Sequence, residues 1–166
     1  MPPVPPTTAI STDRAPAPAG HYSQAIASGG FLFISGQLPV RPDGSVLAGA
    51  PFEEQAALAL DNLLAILAAA GGTPAQLVRV TAYIVDVGNW PRFNATYAAR
   101  LGDARPARSV VPVPQLHHGC LVEIDAVAHL GRQIEAHLAR GGLAVVTSHM
   151  DLPIAPAQML SVRLDG

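Results

Sequence analysis

An α+β domain is the fold class this sequence predicts: a single mixed sheet in the order β-β-α-β-α-β-β, with two helices packed on one face. Three observations carry it. Short apolar runs, alternating or β-branched and bounded by turn residues, mark five strands. Two longer stretches, 51–70 and 90–101, repeat their apolar residues at three-to-four spacing, as helices do. Each helix then has an apolar stripe that needs cover, and one face of a sheet supplies it.

Residues 1–19 are rich in Pro, Thr and Ala and read as a disordered or polyproline-like arm. Order is expected from His21 onward. Tyr22 to Ala27 alternates as a strand, Ser28-Gly29-Gly30 turns, and Phe31 to Ile34 returns, which together make a hairpin. Ser35-Gly36-Gln37 ends that strand with small residues that leave backbone open to a close neighbour. Arg41-Pro42-Asp43-Gly44 is turn chemistry.

From Pro51 to Ala70 the spacing predicts a helix, with Glu53 and Glu54 at its positive dipole end. Leu60, Leu63, Leu64 and Leu67 form its stripe, and Gly71-Gly72 stops it. Val78 to Val87 is apolar on both parities, the pattern of a strand covered on both faces. Trp90 to Leu101 is a second helix, with Phe93, Tyr97 and Leu101 along one side. Ala107–Val113 and Leu121–Ala128 complete the sheet. Its second face needs burial too, and self-association provides that. Residues 20–131 thus make one domain, and 132–166 an extension of a different character.

Composition removes several kinds of function. Charged residues are only 13% of the chain and the net charge is −2, so nothing draws it to nucleic-acid phosphates. All ten basic residues are Arg. Without Lys there is no Schiff-base amine and no Walker A lysine. Cys120 is the single cysteine; beside Leu121-Val122 it reads as a packing residue rather than a nucleophile. The N-terminus lacks the basic and apolar regions of a signal peptide, and no run reaches the roughly 18 apolar residues of a membrane span. The expectation is a soluble, cytoplasmic protein with neither membrane nor nucleic acid as partner.

Two charges interrupt strands that should be apolar, Arg108 and Glu123. An ion pair between strands, or a solvent-facing side, would account for both. Catalysis would as well. Arg presents a planar fork that grips a carboxylate through two hydrogen bonds. A Glu in a mostly apolar pocket is pushed up in pKa and becomes a usable acid or base near neutrality. The pair suits addition of water to a carbonyl- or imine-like carbon beside a carboxylate, with no metal and no cofactor. Asp125 shares a strand face with Glu123, so a carboxylate pair is conceivable; a hydrogen-bonded or solvated Asp is the plainer alternative. His117 and His118 are adjacent, so in an extended segment they face opposite ways and cannot hold one ion.

Several separated motifs resemble the RidA/YjgF family in order and spacing. They are His21-Tyr22-Ser23-Gln24-Ala25, Ser35-Gly36-Gln37-Leu38-Pro39, Asp61-Asn62-Leu63, Phe93-Asn94-Ala95-Thr96-Tyr97, Pro106-Ala107-Arg108-Ser109 and Val122-Glu123-Ile124-Asp125-Ala126-Val127-Ala128. The resemblance spans roughly Ala19 to Leu130 and implies a homotrimer with active sites between subunits. It implies hydrolysis of reactive 2-imino or enamine acids to 2-oxo acids and ammonia. Arg108 would then bind the substrate carboxylate and Glu123 would place the attacking water. Tyr22, Ser35, Gly36 and Asn94 would line the pocket, and the backbone carbonyl of Val110 would meet the imine nitrogen. His21 and Pro112 depart from the family pattern, and Pro112 requires its strand to be an edge or bulged. A non-catalytic trimer binding small carboxylates, or acting like a chaperone, is the alternative. An endoribonuclease, an activity that family naming also carries, fits the low basic charge poorly.

The tail from His137 resembles the end of ABC-type ATP-binding subunits, haem-exporter ones in particular, with Thr147-Ser148-His149 after an apolar run. With no GxxxxGK[ST] loop and no Lys, the chain cannot cradle ATP phosphates. A fusion remnant or a docked helix with two short apolar segments is the expected role.

Overall fold

Gly29 and Gly30 both take positive φ, 58° and 80°, which L side chains resist and a two-residue hairpin loop requires. They join β2 (Ala25–Ser28) to β3 (Phe31–Gln37), with Ser28 opposite Phe31. The remaining elements of the computed structural model, which describes residues 7–130, are β1 (Thr8–Ile10), α1 (Phe52–Ala69), β4 (Leu77–Val85), α2 (Trp90–Leu101), β5 (Ala107–Val113) and β6 (Val122–His129). The expected tail and its Thr147-Ser148-His149 segment lie outside the described residues.

The strands form one sheet in the order β1-β2-β3-β6-β4-β5. Only β4 and β5 run parallel, with α2 in their crossover; every other pair is antiparallel, so the sheet is mixed. Edge position suits β5, because Pro112 has no N–H to give to a ladder.

α1 ends where Gly71 turns to φ 77°; its N–H bonds Ala68 O and that of Gly72 bonds Leu67 O, capping carbonyls the helix leaves orphaned. Ala56, Ala59, Leu60, Leu63, Ile66 and Leu67 on α1 meet Phe93, Tyr97 and Leu101 on α2 in a single core, while Leu64 is only partly buried. The sheet side of that core is Leu32, Ile34, Val80, Ala82, Ile84, Val122, Ile124, Ala126 and Ala128. These alternate along their strands, as one covered face demands. The expectation that β4 is covered on both faces does not hold within one chain: Thr81, Tyr83 and Val85 point away from the helices and are only half-buried. Phe31 and Phe33 stand exposed on that same open face.

The disordered arm expected over 1–19 is corrected where the structure describes it. Thr8–Ile10 pairs with Ala25–Ala27, and Ala15 is buried in the core. The cause is Gln24. Its buried amide accepts from Thr12 N (2.7 Å) and donates to the carbonyls of Thr12, Ala15 and Pro16 at 3.0, 3.3 and 2.8 Å. A Pro-rich segment that makes few bonds of its own is tied down by the β2 ladder and one buried side chain.

Candidate functional site

Arg108 lies opposite Val80 across the β4–β5 pair, and Val80 points into the core, so the Arg108 side chain leaves the sheet on the helix side. There α2 receives it. The guanidinium carbon sits 4.7 Å from the centroid of the Tyr97 ring and 5.8 Å from that of Phe93. Nη2 donates to Asn94 Oδ1 at 3.0 Å. Aromatic faces below and an amide to one side fix the plane of the fork. No carboxylate among the described residues pairs with it, so the strand-to-strand ion pair with Glu123 is not observed. Asn94, Tyr97, Arg105 and Arg108 border a cavity of about 500 Å³. Val110, opposite Ala82, shares this side of β5 and packs against the core edge.

Glu123 lies opposite Tyr83, on the open face. Its neighbour on β3 is Gly36, where a bulge between Ile34 and Gln37 breaks the register. A Cβ on Gly36 would collide with Glu123 Oε1 and stand 3.1 Å from Cδ. The missing side chain is what makes room for the carboxyl. Burial, and then the nearby Asp125 carboxylate, push Glu123 above the usual carboxylate range, while His117 pulls it back down. Ser35, beside Gly36, donates its hydroxyl to Ser23 O at 2.7 Å. Tyr22 is half exposed, and its hydroxyl accepts from Ala19 N at 3.4 Å. Tyr22, Gly36, Leu38, Val46, His117 and His118 border a second cavity of about 580 Å³.

The candidate residues therefore form two half-sites. Arg108, Asn94 and Val110 gather on the helix side at the β5 edge, whereas Tyr22, Ser35, Gly36 and Glu123 gather on the open side near β3. One chain does not bring the two together.

A family model described as Endoribonuclease L-PSP matches residues 12–130. The chain belongs to this family, RidA/YjgF. A RutC family protein of Pyrococcus horikoshii is 40% identical over 120 residues, covering 72% of this chain and 95% of the relative. The crystal structure of a RidA from the Antarctic bacterium Psychrobacter is similar with a TM-score of 0.70 at 35% identity, over 74% of this chain and 98% of the other. E. coli TdcF with bound serine gives a TM-score of 0.70 at 34% identity, over 74% and 98%. The six-stranded mixed sheet with two helices is the fold of these RidA/YjgF structures.

Two features of the site escape sequence reading. Phe93 and Tyr97 are evident as a core stripe, but not as the platform beneath Arg108; the signal was Asn94 one residue after Phe93 and three before Tyr97. The histidines need a correction. His118 takes φ 59° in the 3₁₀ turn His117–Gly119, so the rings do not face opposite ways but meet with centroids 3.8 Å apart. Among the described residues no group of three metal-ligating side chains comes together.

Proposed function

We propose that this RidA/YjgF protein hydrolyses small 2-imino or enamine acids to 2-oxo acids and ammonia, at sites completed between copies of the chain. The observation that carries this reading is the Arg108 fork, held flat by Tyr97 and Asn94 beside a cavity and left without a carboxylate partner among the described residues. A cation so positioned suits a carboxylate brought by a ligand.

Glu123 supplies the complementary group. A carboxyl held up by burial can take a proton from water as the oxygen attacks the imine carbon. The C=N electron pair moves to nitrogen, which gains a proton; the carbinolamine then loses ammonia as C=O forms. The chemistry needs no group beyond these side chains and water. Because Arg108 and Glu123 leave opposite faces of the sheet, the substrate must lie between the Arg108 half-site of one copy and the Glu123 half-site of the next. The exposed Phe31 and Phe33 face supports assembly, and the homotrimer that the motifs imply is the arrangement we assign to it.

A second reading has its own support. TdcF, 34% identical, is described with serine bound, so a small amino or oxo acid held without turnover is the alternative. Nuclease action is disfavoured by a net charge of −2. The deciding experiment is an ammonia-release assay on freshly generated 2-imino acids. Wild type should speed release, and Arg108→Ala should lower kcat/KM by about 100-fold or more. Tight 2-oxo acid binding by calorimetry without any acceleration would establish the binding reading instead.

A further inference from the structure

Both arginines of α2 pair with carboxylates on α1: Arg92 Nε lies 3.4 Å from Glu53 and Arg100 Nε 2.7 Å from Asp61. These are the only ion pairs among the described residues. Just past that helix the pattern stops. Arg105 and Arg108 border the same cavity of about 500 Å³, and neither has a carboxylate partner among the described residues. No acidic residue among those described borders it; Asp103, in the same connection, does not. Resting on the deaminase reading, we propose that Arg105 is a specificity-determining second clamp. It takes the distal carboxylate of a dicarboxylic 2-imino acid while Arg108 holds the carboxylate beside the imine carbon.

Local structure presents the Arg105 fork with one edge held and the other free. The residue is exposed, in the connection from α2 to β5, and Pro106 after it restricts its backbone to extended conformations. Nη1 donates to Gly102 O at 2.7 Å and Ala104 O at 3.4 Å, beyond the C-terminal end of α2. Carbonyls are neutral acceptors, so these bonds steady the head without cancelling its charge. Nε and Nη2, the opposite edge, make no hydrogen bond among the described residues. That is the edge by which Arg100 takes Asp61, with Nε 2.7 Å from Oδ1 and Nη2 3.2 Å from Oδ2. Arg105 therefore offers a carboxylate the two-bond geometry this chain already uses.

The pairing of two such forks at one cavity selects the ligand. A cleft lined by one sign of charge gathers counter-ions, and repulsion between its walls is relieved when an anion enters. One carboxylate fills one fork through parallel bonds. A monocarboxylic imino acid on Arg108 leaves Arg105 to water, whereas a ligand with a carboxylate at each end engages both. The 2-imino acids formed from acidic amino acids have this second carboxylate. It takes no part in the reaction: water still adds at the imine carbon, ammonia still leaves, and the distal group only anchors the chain end.

Calorimetry on the full chain with 2-oxoglutarate and 2-oxobutanoate, a dicarboxylic and a monocarboxylic 2-oxo acid, reads the clamp without turnover. Wild type should bind the dicarboxylate about five-fold more tightly. Arg105→Gln should erase that preference while leaving the Kd of the monocarboxylate unchanged. Arg105→Lys, which keeps the charge without the fork, should preserve its direction. The kcat/KM values for the corresponding imines should follow the same ratios. Equal affinities in wild type would overturn the second clamp. So would a parallel loss of both ligands in Arg105→Gln, the result expected if Arg105 only secures the end of α2 or joins Arg108 on one carboxylate. A preference that depends on Arg105, without ammonia release from any imine, would support the clamp and overturn the deaminase reading alone.

Discussion

Arg108 and Glu123 flank the same strand, β4, yet leave the sheet on opposite faces: Arg108 lies opposite Val80 and Glu123 opposite Tyr83, and those partners are an odd number of residues apart. No side-chain rotation joins the two groups within one chain. A substrate that meets both must be shared.

Sharing is testable by mixing inactive variants. Arg108→Ala and Glu123→Gln, each nearly inactive alone, should recover activity when their subunits are exchanged. In a cyclic trimer mixed at random from equal parts, one interface in four has both intact half-sites, so about a quarter of wild-type activity should return. No recovery, with subunit exchange verified by native mass spectrometry, would show that the two half-sites do not meet across copies.

Gly36 should behave as a catalytic spacer rather than a folding residue. A Cβ there strikes the end of a flexible Glu123 side chain, which can swing aside at little cost in stability. Gly36→Ala should therefore melt within a few degrees of wild type while kcat falls about 10-fold or more. A large loss of stability with normal specific activity would show that the contact serves folding instead.

Tyr97 separates two contributions of one side chain. Its ring supports Arg108, but its hydroxyl is buried and has no hydrogen-bond partner among the described residues. Tyr97→Phe keeps the ring and removes the orphan, so it should match or exceed wild-type stability by about 1 kcal/mol in chemical denaturation, with kcat/KM preserved. Tyr97→Leu should raise KM about five-fold, the equivalent of ~1 kcal/mol of cation–π support.

Glu123 should cost stability in return for its chemistry. Its folded pKa is raised above the ordinary value of 4.5, chiefly by burial, so the folded state binds the proton more tightly than the unfolded one. Stability must then fall as pH rises from 4.5 through the folded value, and stay reduced above it. Glu123→Gln should melt higher than wild type at neutral pH, and the gap should close below pH 4.5. Thermal melts across pH 4 to 8 on the two proteins check this; parallel curves would contradict it.

How much of this was legible in the sequence follows from what each signal depends on. Five of six strands and both helices were written in local periodicity, and the α1 stop was written in Gly71-Gly72. β1 was not, because three residues after a Pro-rich start hold their place through the β2 ladder and Gln24, a partner 12 residues beyond Thr12. Arg108 and Glu123 stood out as charges in apolar runs. Their separation onto two faces depends on the registers of β5 and β6 against β4, which tertiary packing sets and no local pattern encodes. The histidine pair was misplaced for a similar reason: the positive φ of His118 is a property of the turn, not of the dipeptide.

Pro112 carries a last implication. A sheet with a free margin invites strand-by-strand growth into fibres, yet β5, one of the two edge strands, holds a residue with no amide hydrogen. The interruption falls near the C-terminal end of β5. A strand joining that rim would find no unbroken row of donors to pair with.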